Sequence, residues 1–201
     1  MNKRLFHPLL ILLLATLHFH TPCLAEEITR QDAQVLKPVY RIPLRVHLGD
    51  SNRQQMEWIP ILEEINTIWL SRAGICFKIH IVDHDEILPN GLDLWFEAII
   101  PEWNGYYCDE HDIHVRDDPD LRPAGRPAKS SAARTAAHEL GHALKLDHRQ
   151  DSDDNLMRSK TYGCQLHPDE IKKARVSARQ LAIQDTTPEH CGPIKPNNHL
   201  Q

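Results

Sequence analysis

The sequence predicts an α+β fold in a single domain, and three observations predict it. Two stretches, 39–48 and 75–82, alternate apolar and polar residues as half-buried strands do. Three others, 52–73, 131–144 and 168–182, read as helices, from apolar stripes at 3.6-residue spacing or from an Ala-rich run behind a capping serine. No internal repeat and no linker interrupts them, and a chain of 201 residues fits one domain. The composition, 41% hydrophobic and 25% charged, is that of a globular protein with a core. A net charge of −5, from 28 acidic against 23 basic residues, argues against a nucleic-acid partner held by phosphate contacts.

Residues 1–25 stand apart from the domain. Lys3 and Arg4 make a short positive start, Leu9 to Leu17 is an apolar run, and Cys23-Leu24-Ala25 is a small-x-small cleavage site. The run is about half the length a membrane-spanning helix needs. The expectation is a secretory signal peptide cut after Ala25. The mature chain, 26–201, is then secreted or periplasmic, has no membrane association after cleavage, and acts as a monomer.

The elements follow in order. In 39–48, Ile42, Leu44, Val46 and Leu48 share a face, and Pro43 places this strand near a sheet edge. Asp50 or Ser51 can cap a helix over 52–73, with Trp58, Ile61, Leu62, Ile65, Ile68 and Trp69 inward, and Pro60 should kink it or delay its start. Gly74 ends that helix. In 75–82, Ile75, Phe77, Ile79 and Ile81 alternate against Cys76, Lys78, His80 and Val82. The apolar cluster from Leu92 to Ile100 fits a short helix or a strand. Asp112 to Arg116 reads as a short strand, and 117–129, full of Asp, Pro and Gly, as a loop. Ser130 or Ser131 can cap the next helix. A last helix opens at Pro168, with Asp169 and Glu170 suited to its positive end.

Four cysteines lie beyond residue 25: Cys76, Cys108, Cys164 and Cys191. In an exported protein they read as two disulfides with three connectivities open. Cys76–Cys108 with Cys164–Cys191 is the expected pairing, because it closes the shorter loops.

The chemistry concentrates in His138-Glu139-Leu140-Gly141-His142-Ala143-Leu144-Lys145-Leu146-Asp147-His148. Residues four apart on a helix differ by about 40° around its axis, so His138 and His142 project side by side. Two neutral imidazoles so placed suit two corners of a zinc tetrahedron. Glu139 can then act as general base on water at the metal and return the proton to a leaving amine. His148 on a continued helix would lie about 80° from His138 and about 120° from His142. It joins them only if the helix breaks after His142 and the chain turns back.

This pattern resembles that of the metzincin zinc metalloproteases, HExxHxxGxxH followed by a methionine turn. Asn155-Leu156-Met157-Arg158-Ser159 resembles that turn, and the order of elements across nearly the whole mature chain follows the family, most closely its small, matrixin-like bacterial members. The resemblance implies a metzincin (zincin-like) single domain: a twisted mixed sheet, a long N-terminal helix, a zinc-binding active-site helix and a C-terminal helix. It also implies Met157 as an apolar floor beneath the metal, and a specificity pocket lined by 158–162, where Arg158 and Lys160 would favour acidic or polar side chains. One departure stands out. The family's glycine is Lys145 here, and a left-handed lysine costs about 1–2 kcal/mol, small beside the roughly 10 kcal/mol that zinc contributes in structural sites.

The resulting expectation is a zinc-dependent endopeptidase acting on a protein or peptide substrate, with Zn²⁺ on His138, His142 and His148 and with Glu139 catalytic. The alternative is a non-enzymatic exported module that binds zinc or protein on the same scaffold. The 14 histidines also suggest metal storage, a reading that zinc stoichiometry separates from the first. Other residues carry less. Tyr162 is expected to pack rather than reach the metal. Asp151, Asp153 and Asp154 offer carboxylates for calcium, though a solvated loop is the commoner reading. His111 and His114 lack a third partner for a second zinc, and Asp147 is a candidate to orient a ligand. Between Glu26 and the first strand there is no room for an inhibitory propeptide domain.

Overall fold

A computed structural model describes residues 36–82, 91–108, 112–125, 128–183, 191–192 and 194. The N-terminal segment 1–25 and His111 lie outside the described residues. Five strands form one sheet: β1 (Tyr40–His47), β2 (Ile75–Val82), β3 (Leu92–Glu97), β4 (Gly105–Tyr107) and β5 (Asp112–Arg116). The order is β2-β1-β3-β5-β4, with four parallel strands and β4 antiparallel at one edge. Three helices complete the domain, α1 (Gln55–Ala73), α2 (Ser131–Ala143) and α3 (Pro168–Leu181). This is the α+β single domain with a mixed sheet that the sequence predicts.

Alternation decides which face is apolar. Ile42, Leu44 and Val46 of β1, Leu92, Leu94 and Phe96 of β3, and Ile113 and Val115 of β5 are all buried in one core. Against them lie α1, packed on β2, and α2, packed on β5 and β4. Trp58, Leu62, Ile65 and Trp69 of α1 are fully buried there, each contributing on the order of 1.5–3 kcal/mol of transfer free energy.

Several boundaries differ from expectation for local reasons. Helix α1 begins at Gln55, because a capping box sets its start: Glu57 Oε2 accepts from the Gln54 N–H at 2.8 Å. Ser51, expected as a cap, instead accepts from the Arg53 N–H and from Trp58 Nε1, both at 3.0 Å. Pro60 stays inside the helix on its exposed side, where water can replace the missing donor. Of the two serines expected before α2, Ser130 is the cap, accepting from Ala133. The ambiguous cluster resolves into β3, buried in parallel pairing between β1 and β5.

Pro43 does not mark an edge strand, since β1 lies between β2 and β3. The Tyr40 N–H points to the β2 side, donating to Gly74 O at 3.0 Å. By alternation the nitrogen of Pro43 faces β3, whose ladder begins only at Leu44. The missing donor falls ahead of that ladder.

The expected disulfide pairing is also overturned. Cys76, buried at the start of β2, is bonded to Cys191 across a sequence separation of 115. The shorter-loop argument carried little weight, because loop-closure entropy grows only logarithmically with length. The position of β2 at the sheet edge, beside the returning C-terminal segment, decides the pairing instead.

Candidate metal centre

Helix α2 supplies the first two histidines, and the way it ends supplies the third. Leu144 caps the helix, and Lys145 takes a left-handed conformation at φ 68. The Lys145 N–H then donates to His142 O at 2.8 Å and the Leu146 N–H to Gly141 O at 2.9 Å. These two bonds are those of a Schellman turn. The chain reverses, and His148 comes back over His142.

The Nε2 atoms of His138, His142 and His148 lie 3.2 Å from one another in all three pairs. Among the described residues they form the group of side chains able to hold a metal ion. Three nitrogens bound to one zinc at 2.0–2.1 Å and tetrahedral angles would be separated by about 3.3–3.4 Å, so the spacing fits. The far sides of two rings fix the tautomer. His138 Nδ1 lies 2.7 Å from Leu156 O, and His142 Nδ1 lies 2.8 Å from Leu146 O. A carbonyl only accepts, so each Nδ1 carries the proton and each Nε2 presents a lone pair to the common point. Burial, with the charge of Arg134 adding to it, holds His138 well below the usual imidazole pKa, and burial lowers His142 as well. Neutral imidazole is the form that binds metal.

Met157 lies beneath this helix, fully buried. A Cβ added at Gly141 would come within 2.5 Å of its sulfur, so the glycine between the two histidines is the seat of the methionine. Arg134, one turn before His138, ties the segment around Met157 to the helix. Its guanidinium is buried and donates to the carbonyls of Gly163 (3.1 Å), Leu156 (2.7 Å) and Arg158. Burial pushes its pKa down to about 9. Asn155 adds a second tie, accepting from the Met157 N–H at 2.6 Å and donating to Glu170 of α3 at 2.8 Å. Arg134 escaped the sequence reading, although an arginine four residues before His138 in an otherwise Ala-rich helix was a signal that something polar faces it.

A cleft of about 670 Å³ opens beside the histidines. One wall is β4 with the residues before it, Trp103 to Tyr107, and the other is α2 with Thr135, His138, Glu139 and His142. Gly105 lets the walls approach, since a Cβ there would meet Thr135 Cγ2 at 3.0 Å and Glu139 Cγ at 3.2 Å. Glu139 is buried in this cleft, and burial raises its carboxyl to about 7, against the opposing pull of Arg134. The β4 wall was not foreseen, because three residues are too few to show a period.

Other expectations sort by contact. Tyr162 packs against the core and does not line the cleft, while Ser159 and Lys160 do. Asp147 is exposed and paired with Lys173 of α3 at 2.6 Å, leaving backbone carbonyls to orient the rings. Asp151 and Asp153 pair with Arg149 and Arg158. His114 Nδ1 lies 2.6 Å from Glu97 and its ring stacks on Tyr106.

No protein-family model matches this chain, and no curated protein sequence matches it. Among solved structures, mature mirolysin of Tannerella forsythia in complex with a cleaved peptide is similar to it at a TM-score of 0.49 and 12% identity, over 74% of this chain and 97% of that chain.

Proposed function

We propose that this chain is an exported zinc endopeptidase, with His138, His142 and His148 as metal ligands and Glu139 as general base. The observation that carries the reading is the set of three Nε2 atoms 3.2 Å apart, two of them with the tautomer fixed from behind. Bound zinc supplies a Lewis acid that acidifies water and polarises a carbonyl. Glu139 faces the same cleft with a carboxyl near 7, suited to take a proton from the attacking water and pass it to the leaving amine at neutral pH. Arg134 keeps Glu139 from rising further and holds Leu156 O where His138 needs it. Export rests on the signal-like residues 1–25 and on the Cys76–Cys191 bridge, which belongs to an oxidising compartment. Among the described residues no helix is long and apolar enough to cross a membrane.

The test is a peptide-library digest by the chain 26–201 beside its Glu139→Gln variant. The amide preserves shape but cannot take the proton, so zinc should stay bound at one ion per chain while hydrolysis falls by at least about 100-fold. Equal hydrolysis by both proteins would exclude the mechanism. Tight zinc binding without hydrolysis by either would leave the non-enzymatic module.

A further inference from the structure

Among the described residues, three other than glycine adopt positive φ: Glu102 (67°), Lys145 (68°) and Lys160 (59°). Two of them share one place. Lys145 and Lys160 line the cleft, and Glu102 precedes Trp103, which also lines it. Strain collected at a candidate site points to a demand on the side chains held there.

The charges in the cleft are not balanced. Arg134 is buried and spent on three carbonyls. Asp147 is paired with Lys173, and Glu139 is buried beside the histidines. Arg158 is turned away, ion-paired with Asp153 at 2.6 Å. Of the charged side chains that line the cleft, the exposed ones outside an ion pair are then the ammonium groups of Lys145 and Lys160, in a protein whose net charge is −5. The residues that carry them attach at opposite ends of the β4 wall. Lys145 Nζ lies 5.8 Å above the ring of Tyr107, the last residue of β4. The carbonyl of Lys160 accepts from Arg122 at 2.8 Å, beside Asp120, whose own carbonyl accepts from Asn104 just ahead of β4. Three residues of extended chain separate Asn104 from Tyr107, roughly 10 Å, and Glu139 packs against Gly105 between them.

We propose that Lys145 and Lys160 are the specificity-determining residues of this cleft and that they select acidic peptides, with a carboxylate side chain on each side of the bond that is cut. The proposal rests on the peptidase reading above. Each lysine meets one substrate carboxylate, and the exposed pairs are screened beyond a Debye length of about 8 Å at physiological salt.

The test uses four fluorogenic peptides sharing one cleavable bond: acidic on both sides, on either side alone, or with Gln in place of each Glu. The zinc-loaded chain 26–201 should favour the doubly acidic peptide over its Gln counterpart by at least about fivefold in kcat/KM at low salt, a ratio of the size exposed ion pairs give. That preference should shrink at 0.5 M salt, an ionic strength chosen for about half the physiological screening length. Lys145→Asn and Lys160→Asn keep a residue that tolerates the left-handed conformation, and each should erase the preference on its own side. Binding of the same peptides to the zinc-loaded Glu139→Gln protein should show the same ranking. Equal handling of Glu and Gln peptides by the parent chain, or preferences untouched by both Asn variants, would overturn the selection. Failure to cut any of the four, with the binding ranking intact, would instead overturn the peptidase reading.

Discussion

Helices α1 and α2 both end at a left-handed residue, α1 at Gly74 with φ 61 and α2 at Lys145 with φ 68. At Gly74 the chain is crowded. A Cβ there would lie 2.2 Å from Leu36 O and 2.8 Å from Arg175 Nη1, while Tyr40 and Arg175 take the carbonyls of Gly74 and Ala73. Lys145 is exposed, and its side chain reaches over Tyr107 into the cleft. Glycine is therefore demanded at the first turn by space and by conformation together. At the second only conformation opposes a side chain, and a cost of about 1–2 kcal/mol can be carried. The first turn feeds β2 into the sheet. The second returns His148 to His138 and His142.

Breaking the crowded turn should have the largest effect. Gly74→Ala adds left-handed strain and a backbone clash, and should lower stability by about 3 kcal/mol or more in urea unfolding. A loss under about 1 kcal/mol would mean that the segment at Leu36 gives way and that space is not what demands glycine.

Next comes the contact that holds the polar interior behind α2, the counterpart of the pair of hydrogen bonds that Asn66 of α1 makes with Phe77 of β2. Arg134→Met strands the carbonyls of Gly163, Leu156 and Arg158 but removes a buried charge. The balance should be a loss of about 2 kcal/mol, with weaker zinc binding because Leu156 O no longer fixes His138. Unchanged zinc affinity would show that the methionine turn stays in place without the arginine.

The smallest change tests the exposed turn itself. Lys145→Gly should stabilise the fold by up to about 1 kcal/mol, strain relief being offset in part by the freer unfolded chain. His148→Ala belongs beside it, with zinc affinity reduced more than about 100-fold, beyond what outer hydrogen-bond partners usually contribute. A destabilised glycine variant together with unchanged zinc affinity in the alanine variant would leave a two-histidine site.

Much of the fold was legible because its signals are periodic and local. Strand β2 and the opening of α3 at Pro168 stand where the alternation and the proline put them. The site was half legible. His138 and His142 follow from helical spacing, and a break after His142 follows if His148 is to join them. Nothing in the spacing shows that Gly141 seats Met157, or that the carbonyls of Leu156 and Leu146 fix the two rings.

The α+β class and the helix that pairs two histidines can be read from the chain alone. These depend on contacts within a few positions, which periodicity and caps encode. Packing in three dimensions fixed the rest: β1 with its proline lies inside the sheet, Cys76 meets Cys191, Arg134 laces the segment around Met157 to α2, and Lys160 rather than Arg158 faces the cleft. Each of these depends on which distant segment arrives alongside. That is settled by how the sheet and helices pack, since the cost of closing a long loop differs little from that of a short one.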